Sequence, residues 1–144
     1  MANFEKLNAY IEKNGLRHTV ERKMMLEYIE RIDGHFTASE LIRTFGQEKH
    51  VSNASIYRNL NLFVDAGIVV EHAFPSHEAV YEMATKAATH FHRICTMCGE
   101  VKEFRDATAS SALKRHRFRG FEMQAASVYI YGVCKKCKLK KITQ

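Results

Sequence analysis

The sequence has one proline, four cysteines and no apolar run long enough to span a membrane. A single proline together with 46% hydrophobic residues excludes a disordered, proline-rich chain and predicts one or two small folded domains. Because neither a secretory signal nor an apolar span is present, we expect a cytoplasmic protein that does not associate with membranes. There is no low-complexity tract and no internal repeat beyond a repeated cysteine pair.

The four cysteines form two Cys-x-x-Cys pairs, Cys95 with Cys98 and Cys134 with Cys137, separated by 35 residues. Two such pairs that converge in space offer four thiolates to one tetrahedral ion, an arrangement that suits Zn²⁺. The alternatives are disulfides or unliganded thiols, and disulfides fit poorly in a chain without a secretory signal. A thioredoxin-like redox role also fits poorly, because neither pair lies in a βαβ pattern. The spacing therefore predicts a structural zinc site.

The N-terminal half has the pattern of four helices. Apolar residues recur at helical spacing in each of them, and Gly15 and Gly67 are suitable helix stops. Thr19 is a candidate cap for the second helix, and Thr37 opens the third with a capping box. A strand, a turn at Pro75-Ser76 and a second strand follow, with the strands over residues 68–74 and 79–83.

The fourth predicted helix begins after Ser52 or Asn53, ends near Ala66 and divides into two faces. Its apolar face carries Ile56, Leu60, Phe63 and Val64. Its other face carries Ala54, Tyr57, Arg58 and Asn61. Side chains of the types found on this other face can contact base edges and phosphates in DNA. An ordinary solvent-exposed helix face can have the same composition.

Helices that lead into a helix pair and then a hairpin indicate a winged helix, whose fourth helix would enter the major groove of double-stranded DNA. The formal net charge of +6 is compatible with a polyanionic partner but is modest evidence alone.

The C-terminal half follows a segment of small residues that resembles a hinge. We expect domains over residues 1–84 and 90–144, joined by a hinge over 85–89. The second domain should contain strands flanking the first cysteine pair, a helix, a further strand and a basic tail, over residues 90–95, 101–104, 107–116, 127–131 and 135–141 respectively. So small a domain motivates both zinc binding and pairing with a second copy.

Histidines and carboxylates form a second candidate metal set. His90 and His92 are two residues apart in a predicted strand and so share a face, and Glu82, Glu103 and His35 lie near other predicted element ends. Imidazole with carboxylate suits Fe²⁺, Mn²⁺, Zn²⁺, Co²⁺ or Ni²⁺. Each of these histidines alone is more often an ordinary surface or core residue.

Four segments together resemble the ferric uptake regulator family of bacterial metal-dependent repressors. They are the run from His90 to Phe104, Gly15 to Thr19 continuing to Arg22, Ser55 to Leu60, and Asp65 to Val69. The resemblance covers nearly the whole chain. It implies an α+β fold, with an N-terminal winged helix-turn-helix domain and a small C-terminal α/β dimerisation domain carrying the cysteine zinc site. It also implies a homodimer whose operator binding depends on a metal.

The resemblance also implies roles for individual residues. His35, Glu82, His90, His92 and Glu103 would hold the regulatory ion, which would be Fe²⁺ or another divalent metal such as Mn²⁺ or Zn²⁺. The DNA contacts would come from Arg17, near the minor groove or backbone, and from the exposed face of the fourth helix.

The chain departs from the family pattern at a further metal site found in many members. The corresponding positions hold no His, Asp or Glu; they are Thr89, Phe91, Ser110, Ala126 and Val133. The peroxide-sensing branch usually has Asp where this chain has Glu103, which argues against peroxide sensing.

Several alternatives remain open from the sequence. The chain could be a peroxide- or zinc-responsive member of the same family, a zinc metalloenzyme or a zinc-stapled interaction module. The absence of a His-Glu-x-x-His helix weighs against the enzyme, so we expect a non-enzymatic regulator.

Overall fold

The computed structural model describes residues 2–75, 77–87, 90–123 and 125–142. The chain divides into two compact units, which are described separately. The first comprises residues 1–72 and 79–84, and the second comprises residues 73–78 and 85–144. The predicted turn at Pro75-Ser76 and the predicted hinge each include positions outside the described residues.

The first unit contains four helices and a three-stranded sheet. In chain order its elements are α1 (Asn3–Lys13), α2 (Val20–Glu30), β1 (Phe36–Thr37), α3 (Ala38–Leu41), α4 (Asn53–Asp65), β2 (Val69–His72) and β3 (Val80–Met83). A π-helical turn over Ile42–Gly46 continues α3. The sheet is antiparallel in the order β1-β3-β2. Helices followed by this hairpin form the winged-helix arrangement.

Local capping signals set the helix starts of the first unit. The Thr19 hydroxyl accepts a hydrogen bond from the amide of Arg22 at the start of α2, and Thr37 forms a capping box with Glu40 at the start of α3. The Ser52 hydroxyl accepts from the amide of Ser55 at the start of α4. Gly67, which follows α4, has φ +72°, a conformation that favours glycine. The predicted helix starts are therefore confirmed.

A single apolar core occupies the first unit. Its fully buried members include Leu26, Ile29, Phe45, Ile56 and Phe63, contributed by α2, α4 and the turn after α3. One face of the sheet joins this core through Phe36, Tyr81, Val69 and Met83, which pair in register as Phe36 with Tyr81 and Val69 with Met83. Because side chains alternate along a strand, the residues between these core positions point to the opposite face of the sheet.

The described residues of the second unit form a mixed sheet and three helices. Its elements are α5 (Ala84–Ala87, whose first residue belongs to the first unit), β4 (Phe91–Cys95), β5 (Val101–Phe104), α6 (Ala107–Arg115), β6 (Tyr129–Gly132) and α7 (Lys135–Ile142). Strand β4 is central, antiparallel to β5 and parallel to β6. Among the described residues of this unit, the buried large apolar side chains are Phe74, Phe91 and Ile94. So small an apolar core makes other sources of stability necessary.

Two segments have a helical form that the sequence analysis does not specify. Residues 84–87, which overlap the predicted hinge over 85–89, form a short helical turn, and Ala84 and Ala87 are buried. The basic tail is helical, because the second cysteine pair forms its first turn: the amide of Lys138 donates to the carbonyl of Cys134. No helix in the described ranges has the length and apolarity needed to cross a bilayer.

Candidate functional site

The four cysteines lie together in the second unit. Cys95 ends β4, Cys98 closes the turn after it, and Cys134 and Cys137 lie at the start of α7. Gly99 follows the first pair with φ +77°, which lets the chain reverse towards β5. The four sulfur atoms all lie within 4.8 Å of one another, and none forms a disulfide.

The sulfur positions fit a tetrahedral zinc site. Zn–S bonds of about 2.3 Å at tetrahedral angles place two sulfur atoms about 3.8 Å apart. The Sγ atoms of Cys98 and Cys134 are 3.8 Å apart. The backbone amide of Cys134 also donates a hydrogen bond to Sγ of Cys95, at 3.3 Å, which is the kind of outer contact that orients a thiolate ligand.

The electrostatics of this cluster call for a cation. Backbone amides of Cys98 and Cys134 lower the pKa of the Cys95 thiol to about 6, so this sulfur is mostly a thiolate at neutral pH. The neighbouring Cys134 thiol and burial raise the pKa of Cys137 to about 12 in the absence of metal. Four sulfur atoms at this distance can all ionise together only when a metal ion neutralises them.

A second group of polar side chains lies in the first unit, on the sheet face opposite the core. In the sheet register Glu82 pairs with Val70 and His72 pairs with Val80, so Glu82 and His72 are diagonal neighbours on one face. The Nε2 atom of His72 lies 2.5 Å from Oε1 of Glu82. Glu82 is fully buried and His72 is 1% exposed.

His35 completes this group. It precedes β1, whose Phe36 pairs with Tyr81, and this register brings His35 beside Glu82. The Nε2 atom of His35 lies 3.3 Å from Oε1 of Glu82, and the rings of His35 and His72 are 5.7 Å apart. One buried carboxylate is therefore in contact with two imidazoles, a donor set that divalent transition metals accept.

The second unit has its own imidazole and carboxylate group. The rings of His90 and His92 are 5.0 Å apart, and both side chains are buried. Glu103 pairs with His92 in the β4–β5 register, and its carboxylate lies 3.9 Å from Nε2 of His90. The Glu103 side chain is 50% exposed, which makes it the most accessible carboxylate or imidazole of this group.

The exposed face of α4 lies in the first unit and has the composition expected from the sequence. The side chains of Ala54, Tyr57, Arg58 and Asn61 are all exposed. Ile56, Leu60 and Phe63 on the opposite face are fully buried, and Val64 is partly buried. Arg17 is exposed in the segment between α1 and α2.

Comparisons with known proteins agree with this architecture. The model of the ferric uptake regulator family matches residues 13–131. The chain belongs to the ferric uptake regulator family. It is 35% identical over 133 residues to the ferric uptake regulation protein of Shigella flexneri, with 88% of this chain and 87% of the relative covered.

Solved structures of family members resemble most of the chain. The ferric uptake regulator of Pseudomonas aeruginosa, solved with manganese, has a TM-score of 0.66 at 34% identity and covers 89% of this chain and 97% of its own. The Helicobacter pylori regulator, described as having three functional metal binding sites, has a TM-score of 0.65 at 26% identity and covers 94% of this chain and 91% of its own. The winged-helix and α/β domain fold expected from the sequence is thereby confirmed.

Membership in this family identifies the chain as a metal-responsive transcriptional regulator. Its cofactors are a structural Zn²⁺, with which the thiolate cluster is consistent, and a regulatory Fe²⁺ or another divalent ion such as Mn²⁺ or Zn²⁺. The family is one of regulators, which favours this interpretation over the zinc metalloenzyme.

Two further polar residues near these sites have no signal strong enough to identify them from the sequence alone. His72 lies in a predicted strand, and only the register of β2 against β3 places it beside Glu82. The available signal was a histidine two positions after an apolar residue in a strand, which alternation puts on one face with that residue. Asn59 is a buried amide on α4.

Proposed function

We propose that this regulator is a cytoplasmic homodimer that binds operator DNA as a repressor, and that one divalent ion bound by His35, Glu82, His90, His92 and Glu103 sets its affinity for that operator. The proposal makes the protein a binding switch with no catalytic step. It rests on the family membership and on the side chains that each unit presents.

The single observation that carries DNA recognition is the division of α4 into two faces. The buried face fixes the helix on the core of the first unit, which leaves Tyr57, Arg58 and Asn61 directed away from it. Arg58 can donate two hydrogen bonds to a guanine edge, and Tyr57 and Asn61 can bind phosphate or base groups. A helix held in this way is suited to the major groove.

The two imidazole and carboxylate groups support the metal switch. His35 and Glu82 belong to the first unit, whereas His90, His92 and Glu103 belong to the second. If ligands from both units share one ion, binding restricts how the units are arranged, and in a dimer this restricts the spacing of the two α4 helices. A coupling of about 1–3 kcal/mol would change operator affinity roughly 5- to 150-fold.

The homodimer is supported by apolar side chains that the second unit leaves exposed. Ile130 and Tyr131 on β6 are more than half exposed, and Phe118 and Phe121 are also exposed. Strand β6 lies at the edge of its sheet. An edge strand with large apolar side chains is a typical surface for pairing with a second copy of the chain.

We further propose two metal ions per chain. The regulator of Helicobacter pylori is described as having three functional metal binding sites. In this chain the positions of the further family site hold Thr89, Phe91, Ser110, Ala126 and Val133, which offer no imidazole or carboxylate. The zinc site and one exchangeable site remain.

Operator binding with and without the exchangeable metal tests the proposed function. Zinc-loaded full-length protein with Mn²⁺ is first used to select duplexes from a random DNA library. Fluorescence anisotropy then compares the selected duplex with a shuffled duplex, with Mn²⁺ and without it. We expect sequence-selective binding that Mn²⁺ strengthens at least fivefold. Equal binding to both duplexes, or no response to Mn²⁺, would contradict the proposal.

A further inference from the structure

The buried side of α4 contains one amide that its apolar packing does not explain. Asn59 is 4% exposed and lies next to Arg58 in the chain. A buried amide is retained in a fold when its donors and acceptor are satisfied. Here its Oδ1 accepts a hydrogen bond from Nε of Arg22 at 3.2 Å, and its Nδ2 donates to Oε1 of Glu21 at 3.4 Å.

Arg22 extends this contact to the segment before α2. Its Nη1 donates to the backbone carbonyl of Arg17, while its backbone amide donates to the hydroxyl of Thr19, the cap of the helix. The guanidinium is planar and rigid, so a hydrogen bond at Nε and another at Nη1 fix the relative positions of the two acceptors. Those acceptors are the Asn59 side chain on α4 and the backbone at Arg17.

We propose that Asn59 and Arg22 are positioning residues that hold the Arg17 segment at a fixed place relative to the exposed face of α4, so that Arg17 and Arg58 meet the operator together. The inference rests on the proposed DNA binding and adds to it two residues that do not touch DNA. A DNA-binding surface made of a helix and a separate loop needs supporting hydrogen bonds of this kind. Without them the loop can move relative to the helix.

The chemistry of the pair suits this role better than core stability alone. An apolar side chain at position 59 would fill the same space among the buried residues of α4 and would need no partner. The amide instead provides an acceptor that orients Nε of Arg22, and Nη1 of the same guanidinium donates to the Arg17 carbonyl. The arrangement therefore links the position of the Arg17 backbone to the position of α4.

A double-mutant cycle separates positioning from a general effect on folding. The four proteins are the wild type, Arg17→Ala, Asn59→Leu and the double variant, each full length and loaded with Zn²⁺ and Mn²⁺. Asn8→Leu is the matched control, because it replaces an exposed amide on α1. Anisotropy with the selected and shuffled duplexes gives affinities, and thermal unfolding of every variant reports stability.

We expect Arg17→Ala to lower affinity for the selected duplex about fivefold or more in the wild-type background. In the Asn59→Leu background, where Arg17 is already displaced, the same change should cost less than about twofold. Asn8→Leu should bind like the wild type. If Asn59→Leu does not fold, the cycle is repeated with Arg22→Lys, which keeps the charge but loses the fixed pair of donors.

Equal losses for Arg17→Ala in both backgrounds would overturn the positioning role, since the two residues would then act independently. The absence of any loss in the wild-type background would also overturn it, while operator binding by the wild type would leave the proposed function standing. Failure of the wild type to prefer any selected duplex would instead overturn the proposed function and the inference with it.

Discussion

Oε1 of the Glu82 carboxylate accepts a hydrogen bond from Nε2 of His72, with the two atoms 2.5 Å apart, and both side chains are buried. A buried carboxylate is costly unless it is paired and hydrogen-bonded. The contact with His72 fixes the orientation of a carboxylate that also lies 3.3 Å from Nε2 of His35. A proposed metal ligand is thus held in place before any ion binds.

The first prediction follows from this contact. His72→Leu should weaken binding of the exchangeable ion about 10- to 100-fold, because a ligating carboxylate that loses its hydrogen-bond partner is less well oriented. His72→Gln, which keeps a side-chain hydrogen-bonding group, should lose less. Calorimetric titration of the zinc-loaded protein with Mn²⁺ measures both.

His18→Leu is the matched control for His72, since His18 is exposed in the segment before α2. It should bind Mn²⁺ like the wild type. Unchanged affinity in a folded His72→Leu variant would show that Glu82 needs no orientation from His72, or that Glu82 is not a ligand.

The second prediction concerns the thiolate cluster. Cys98→Ser should lose zinc and should unfold or monomerise the second domain, because that unit has few large buried apolar side chains to stabilise it without metal. Elemental analysis, thermal unfolding and sedimentation measure the three quantities. Met97→Leu is the control, since Met97 lies in the same turn and is exposed.

One specific result would contradict a structural role for zinc. That result is a Cys98→Ser protein that has lost its zinc but keeps the dimer and the thermal midpoint of the wild type.

The third prediction separates sequence reading from general charge. Arg58→Ala should cost about 1–3 kcal/mol on the selected duplex and much less on a shuffled one, as expected for a bidentate base contact. Lys138→Ala, which removes an exposed charge on α7, should change both affinities little or equally. Anisotropy titrations at one salt concentration provide the comparison. A loss of the same size on both duplexes for Arg58→Ala would assign this arginine to phosphate contact alone.

Local signals in the sequence were sufficient for most of the helix starts. Thr19, Thr37 and Ser52 each accept a hydrogen bond from the amide three residues ahead, and this contact depends on nothing farther away. The zinc cluster was equally predictable, because its ligand spacing is itself the signal. A capping residue is recognised from its immediate neighbours, and the zinc ligands are recognised from the spacing of the two Cys-x-x-Cys pairs.

Tertiary contacts decided what the sequence could not predict. The turn at 84–87 carries only small and polar residues, and its helical form accompanies the burial of Ala84 and Ala87. The contact of His72 with Glu82 depends on strand register. The hydrogen bond of Asn59 with Arg22 depends on how α4 lies against α2. None of these relationships has a local sequence pattern.

The most direct test of the metal switch is the DNA affinity of a zinc-loaded His90→Ala/His92→Ala variant during a Mn²⁺ titration. The variant should keep its zinc and its dimer, because the thiolates are separate ligands, and should show no Mn²⁺-dependent rise in affinity for the selected duplex. His116→Ala, which replaces an exposed histidine, should respond like the wild type. A full Mn²⁺ response in the double variant, or a second tightly bound exchangeable ion per chain in the wild type, would contradict a switch built on this single site.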